Sequence, residues 1–191
     1  MYLRNLEIKD APLMFEWMHD SSVVENLQTD FSKKTIEDCV DFIGASHCDN
    51  QNVHFTISDE TDEYQGTVSL KNINNGSAEF AITIRASAMG RGISSEAMSQ
   101  IIQYGFKEKG LNSIYWCVSP ENKRAVRFYD KNGYHRVSPV ALNIGGGVQH
   151  RTDSVVLLVP HYTRGREEQN LRIIRRIAKL NADTLFLQPS A

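Results

Sequence analysis

Cysteine is scarce in this chain of 191 residues: Cys39, Cys48 and Cys117 form no CxxC pair and leave an odd thiol. That excludes a secreted disulfide framework and predicts reduced thiols in a cytoplasmic protein. Long apolar runs are absent too, none approaching the ~18 residues of a spanning helix, and Met1-Tyr2-Leu3-Arg4 lacks the pattern of a secretory signal. The expectation is a soluble protein with no membrane partner. Charge of one sign is also missing, since 21 Lys and Arg against 23 Asp and Glu leave a net charge of −2. Without a basic field there is no electrostatic footprint for nucleic acid. The 6 histidines are scattered without ligand spacing, which predicts no metal. What is present is a hydrophobic fraction of 41%, enough for one domain with a sizeable core.

The most informative stretch is Met89-Gly90-Arg91-Gly92-Ile93-Ser94-Ser95-Glu96-Ala97, where an apolar strand gives way to a helix. Two glycines let the backbone approach a ligand, and the helix starting near Ile93 aims free N–H groups and its positive dipole end at an anion. The loop is not a P-loop, because the Lys and second Gly of that motif are missing. Nor does it fit the dinucleotide fingerprint, which wants a third glycine where Ser95 stands. Alone, Gly-x-Gly before a helix is ordinary turn chemistry.

A second motif follows the apolar run Ser113 to Val118: Asn122-Lys123-Arg124-Ala125-Val126-Arg127-Phe128-Tyr129-Asp130-Lys131-Asn132-Gly133-Tyr134, a short helix closed by Gly133. In this order the pair resembles the GNAT superfamily of acetyl-CoA-dependent N-acetyltransferases, whose signature is Arg/Gln-x-x-Gly-x-Gly/Ala, a strand, then Asn-x-x-Ala-x-x-Phe-Tyr-x-x-x-Gly-Phe. The flavour is similar to the branch of ribosomal-protein N-terminal, spermidine and nucleotide-amino-sugar acetyltransferases. The resemblance implies an α/β (α+β) fold with a mixed, mostly antiparallel sheet of six or seven strands, splayed in the middle, and helices on both faces.

The rest of the chain suits that expectation. Tyr2 to Ile8 reads as a first strand; Asp10 caps a helix whose apolar face is Leu13, Met14, Trp17 and Met18. Ser21 to Leu27 reads as a second helical turn, and Ser32 as the cap of a helix with Ile36, Cys39, Val40 and Ile43 on one side. Strands are expected over 52–58 and 66–73, then a hairpin at Asn74-Asn75-Gly76 and a strand from Glu79 to Ile84. The helix from Ile93 stops at Gly110, and the last strands are Tyr134 to Val137 and Ser154 to Val159, linked through Gly145-Gly146-Gly147. This gives an acetyltransferase domain over 1–160, followed over 161–191 by a basic amphipathic helix and tail. Docking on the domain or on a second copy, as a homodimer, is the preferred reading of that helix; contact with a membrane or polyanion is weakened by Glu167 and Glu168.

The resemblance also implies roles. Acetyl-CoA is the cosubstrate, with Met89, Gly90, Arg91, Gly92, Ile93, Ser94 and Ser95 at its pyrophosphate. Ile82, Thr83 and Ile84 lie along the thioester, where a backbone N–H meets the developing oxyanion. Asn122, Arg124 and Ala125 are further cofactor contacts, Asn122 supporting the pantetheine arm or the leaving group through its amide as well as capping its helix. Tyr129 gives a proton to the departing thiolate, or else is a packing aromatic; Phe128 is assigned to the core. Glu79 takes a proton from the attacking amine, directly or through water, or else is an exposed strand carboxylate. On the acceptor wall Trp17, Glu25 and Asp30 are candidates for holding the substrate, against their plainer readings as a core aromatic and solvated carboxylates.

Two positions depart from the pattern. Met89 stands where Arg or Gln is usual, which shifts pyrophosphate binding to the amides and to Arg91. Ser94 replaces Gly or Ala. They keep a second class open, a non-catalytic acyl-CoA binding or sensing module of the same fold. For an enzyme, the acceptor is a small-molecule amine, with an amino sugar narrowly ahead of a polyamine, and a protein α-amine as the alternative.

Overall fold

The structure, a computed structural model, describes residues 1–25, 27, 29–131, 134–137 and 155–159. The expected Gly133 helix stop, the triple glycine and the helix of 161–191 lie outside the described residues. Within them run β1 (Tyr2–Asn5), α1 (Ala11–Met18), α2 (Ser21–Val24), α3 (Ile36–Ser46), β2 (Val53–Ser58), β3 (Tyr64–Asn74) and β4 (Ser77–Ile84). Then come α4 (Ile93–Lys107), β5 (Ser113–Val118), α5 (Lys123–Lys131), β6 (His135–Val137) and β7 (Val155–Val159).

The strands form one 7-stranded sheet in the order β1-β2-β3-β4-β5-β7-β6. Every neighbouring pair is antiparallel except β4 and β5, which α4 joins as a crossover. The β3–β4 hairpin closes at Asn74 and Ser77, with Asn75 (φ 49°) and Gly76 (φ 74°) in the left-handed region that a tight two-residue turn demands.

The parallel pairing stops early. It holds for Ser77 with Ser113, Ala78 with Ile114 and Glu79 with Tyr115, and no further. β4 continues to Ile84 along β3 alone, and β5 continues to Val118 along β7 alone. The sheet therefore opens into a V below Phe80 and Trp116. The two rings pack edge to face with centroids 5.6 Å apart, and Tyr129 lies 5.2 Å from Trp116, so aromatic bulk fills the core side of the opening.

Each face of the sheet has its own core. Under α4 lie Leu70, Phe80, Ile101, Ile114 and Trp116. Under α1 and α3 lie Leu6, Met14, Trp17, Cys39, Ile43 and Tyr64. Two helix starts differ from the sequence reading. Thr35, not Ser32, caps α3: its Oγ1 accepts the Asp38 N–H while the Asp38 carboxylate accepts the Thr35 N–H. Asp10 precedes α1 but makes no cap bond there. Its carboxylate is instead buried, accepting from Arg4 Nη1 and Nη2 at 2.8 and 2.7 Å, from Thr56 Oγ1 at 2.7 Å and from the Glu7 N–H at 2.9 Å.

Among the described residues no helix is long and apolar enough to cross a membrane. The Asp10 site yields a prediction. Burial alone would raise the Asp10 pKa, but the hydrogen bonds from Arg4, Glu7 and Thr56 outweigh it and hold the carboxyl below its usual value. A depressed folded pKa stabilises the fold at neutral pH, and that contribution is lost as pH falls below ~4 through the folded pKa. Asp10→Ala removes one of the two carboxylates that hold the part-buried Arg4 guanidinium, leaving Asp62, and should cost about 2 kcal/mol in urea unfolding at pH 7. It should also flatten the acid limb of the stability profile.

Candidate active site

Backbone accounting locates the site. In an antiparallel pair each strand turns only every second residue's N–H and C=O toward its neighbour. Along Phe80 to Ile84 the remaining groups point away from β3 into the V, where β5 has departed. Such groups need partners. They form one wall of a cleft of about 720 Å³, lined from β4 by Phe80, Ile82, Thr83 and Ile84.

The second wall is the loop into α4. Gly90 (φ 80°) and Gly92 (φ 78°) are both left-handed, which turns the chain sharply enough to present the helix start to the cleft. Gly92 is the residue before the helix, and its carbonyl receives the N–H groups of Ser95 at 3.1 Å and Glu96 at 3.3 Å. The amides of Ile93 and Ser94 precede the helix's own ladder and have no acceptor within it. With the dipole of a 15-residue helix behind them they suit a phosphate. Met89, Gly90, Arg91, Gly92, Ser94 and Ser95 all line the cleft. Ile93 does not: its side chain is buried in the core under α4, so only its backbone is available.

The third wall is the start of α5. Asn122 Oδ1 accepts the Ala125 N–H at 3.0 Å and so caps the helix, leaving the amide nitrogen for a ligand. Arg124 crosses toward the loop, its Nη1 3.4 Å from Met89 Sδ. Two arginines, Arg91 and Arg124, thus stand at the cleft from opposite walls. Met89, apolar where Arg or Gln was expected, instead packs against both cores.

Tyr129 lines the cleft from α5 and is 8% exposed. Burial, reinforced by neighbouring Tyr134, pushes its phenol well above the usual range, so it stays protonated at any working pH. Burial likewise pushes Tyr134 up to about 12. Trp116, between them, has its indole Nε1 buried with no partner among the described residues. Phe128, assigned to the core, packs on it only in part and lines the cleft as well.

α2 and the residues just after it supply the remaining wall, Ser22 and Val23 from the helix, Glu25 and Leu27 from beyond its end. Asp20 holds this short helix by accepting the Ser22 N–H at 2.9 Å. Of the three acceptor candidates only Glu25 reaches the cleft. Trp17 is 4% exposed in the core under α1, where its Nε1 donates to Tyr64 Oη at 2.9 Å and its ring meets Phe31 edge-on. Asp30 is exposed and accepts the Ser32 N–H at 2.9 Å, a turn contact outside the cleft lining. Glu79, at the last parallel pair, also lies outside the lining. It sits on the opposite side of β4 from the buried Ala78 and Phe80, 3.6 Å from Lys71 Nζ and accepting from Asn72 Nδ2 at 3.1 Å. Met98, Val23 and Leu27 were missed, because an apolar residue at helical spacing carries no sign of which side of a cavity it will border. Among the described residues no group of three or more His, Cys, Asp or Glu is placed to hold a metal ion.

Comparison with known proteins agrees with this geometry. The sequence profile of the acetyltransferase (GNAT) domain matches residues 1–135. An uncharacterized N-acetyltransferase p20 of Bacillus licheniformis is 30% identical over 141 residues, spanning 70% of this chain and 78% of that protein. A spermidine N(1)-acetyltransferase of Vibrio cholerae is 33% identical over 88 residues, 45% of this chain and 51% of the relative. The crystal structure of a Vibrio cholerae spermidine N-acetyltransferase in complex with CoA and spermine superposes with a TM-score of 0.67 at 22% identity, covering 83% of this chain and 94% of that one.

The glycine geometry is directly testable. Nothing lies within 4 Å of a Cβ added at Gly92, so Gly92→Ala is resisted only by the left-handed backbone, at about 1 kcal/mol of stability. If the loop relaxes, an amide leaves the anion and CoA affinity by calorimetry should fall about tenfold, the worth of one hydrogen bond to a charged group.

Proposed function

The chain belongs to the acetyltransferase (GNAT) family, and on that premise we propose that it transfers the acetyl group of acetyl-CoA to a cationic small-molecule amine by direct attack within the V of the sheet. The observation that carries this reading is the meeting, in one cleft, of the open edge of β4, the α4 start and Tyr129. Pantetheine amides would pair with the free backbone groups of Phe80 to Ile84, the diphosphate with the Ile93 and Ser94 amides, Arg91 and Arg124.

The reaction needs three things. The thioester carbonyl needs a donor for its developing charge, which an N–H of β4 turned into the V can supply. The sulfur needs a proton as the C–S bond breaks, and the Tyr129 hydroxyl is the donor placed for it. The amine, near pKa ~10 when free, must lose a proton before its nitrogen attacks. Glu25 supports the cationic form on arrival. Glu79, engaged by Lys71 and Asn72 outside the lining, would take the proton only through water, so a relay is the route we favour. Direct attack is favoured over an acyl-enzyme because no cysteine is among the described residues lining the cleft, and burial also pushes the β5 thiol, Cys117, up to about 11.

For the acceptor, relatives named as spermidine acetyltransferases and a solved neighbour holding spermine support a polyamine-type amine ahead of the amino sugar preferred from sequence. Turnover of acetyl-CoA against spermidine, spermine, an amino sugar and a peptide α-amine, read by free-thiol release, decides this. Binding of CoA with no turnover on any amine would leave the sensing module. For an active pair, Tyr129→Phe should lower kcat roughly 10²-fold, about 2.7 kcal/mol, with both KM values near wild type. Unchanged kcat would make Tyr129 a packing ring, and lost CoA binding would make it a cofactor contact.

A further inference from the structure

Arg85 is 8% exposed at the point where β4 ends and the chain turns toward the glycines. Its guanidinium is committed throughout. Nε donates to Glu16 Oε1 at 3.1 Å, Nη2 donates to both Glu16 oxygens at 3.0 Å, and Nη1 donates to Glu63 Oε1 at 2.9 Å and to the Tyr64 carbonyl at 3.1 Å. Its own N–H donates to the Gln65 carbonyl at 2.9 Å. Every direction in which Arg85 could move is therefore opposed by a bond to another element.

The fork onto Glu16 links two walls of the cleft, that of α1 and α2 and that of the loop following Arg85 itself. Glu16 is on α1, which runs through His19 and Asp20 into α2 and so carries Ser22, Val23 and Glu25. On its other side Arg85 is separated from Met89 only by one turn of 3-10 helix, Ala86–Ala88, in which Ala88 is fully buried. A forked, planar pair between a guanidinium and a carboxylate fixes orientation as well as distance. From this geometry we infer that Arg85 is a positioning residue: its fork onto Glu16 sets the diphosphate loop against the amine wall, so the thioester and the acceptor nitrogen meet in register.

Glu63 provides the internal control. It pairs with the same guanidinium but stands at the head of the β2–β3 turn, joined to neither α1 nor the glycine loop. Losing either carboxylate removes one negative charge and one ion pair, while only the loss of Glu16 removes the ion pair that links the two walls. Both side chains are about half exposed, so either can be changed without emptying a core position.

The inference rests on the acetyl-CoA reading above, and the experiment separates the two. CoA affinity is measured by calorimetry on the full chain, wild type beside Glu16→Gln, Glu63→Gln and Arg85→Lys, with thermal unfolding to establish that each is folded. The expected result is a loss of about fivefold in CoA affinity for Glu16→Gln and Arg85→Lys, no further loss in their double variant, and a change below twofold for Glu63→Gln. Should Glu16→Gln fail to fold, Glu16→Asp shortens the same link and should show the same loss. Equal CoA affinity in wild type and Glu16→Gln, or equal losses in Glu16→Gln and Glu63→Gln, would overturn the positioning role and leave the enzyme assignment intact. A wild-type chain that does not bind CoA would instead overturn the assignment itself.

Discussion

Everything about this molecule turns on a hydrogen-bond ladder that stops. β4 and β5 pair as parallel strands over Ser77 to Glu79 and then part, so the backbone of Phe80 to Ile84 keeps donors and acceptors that no strand receives. Parting two central strands is costly unless other groups take up the space and the pairing. On the core side Phe80, Trp116 and Tyr129 fill the space. On the far edge of β5, β7 pairs with it from Ile114 to Val118 and holds that strand in the sheet. What remains open is a cleft whose wall is polar backbone, which recognises an amide-containing chain without asking for particular side chains.

The two cores explain how such an opening holds its shape. Each face of the sheet buries its own helices, and Met89 packs against both, which pins the start of the glycine loop. Arg91 and Arg124 line the cleft from opposite sides and suit an anionic ligand lying between them.

Much of this was legible in the sequence, and the failures have physical reasons. Gly90, Gly92 and the Asn75-Gly76 turn are visible because positive φ restricts the choice of residue, and composition then betrays conformation. Asn122 to Tyr129 is visible because, paired with the glycine loop, it resembles a family motif; spacing alone would have shown only a capped helix with a tyrosine open to a packing role. Trp17 and Asp30 were misplaced because nothing local tells whether a polar tip is satisfied by a substrate, by Tyr64 or by a turn amide. Thr35 took the cap from Ser32 because Asp38 completes a reciprocal pair with it. Glu16, Glu63 and Arg85 were illegible together, since they are 22 and 69 positions apart and meet only once β3, β4 and α1 are assembled. Glu79 sits where the strand register suggested, yet the pleat turns it toward Lys71.

The open edge of β4 also has a bearing on how long the protein survives. A ligand that completes those backbone pairs binds the folded chain and not the unfolded one, so it adds RT ln(1 + [L]/Kd) to stability, about 2.7 kcal/mol at a hundredfold excess over Kd. With acetyl-CoA as that ligand, the fraction of chain open to proteolysis falls as the acyl donor accumulates and rises as it is depleted. Occupancy of the cleft and resistance to unfolding are thereby linked through the same backbone edge.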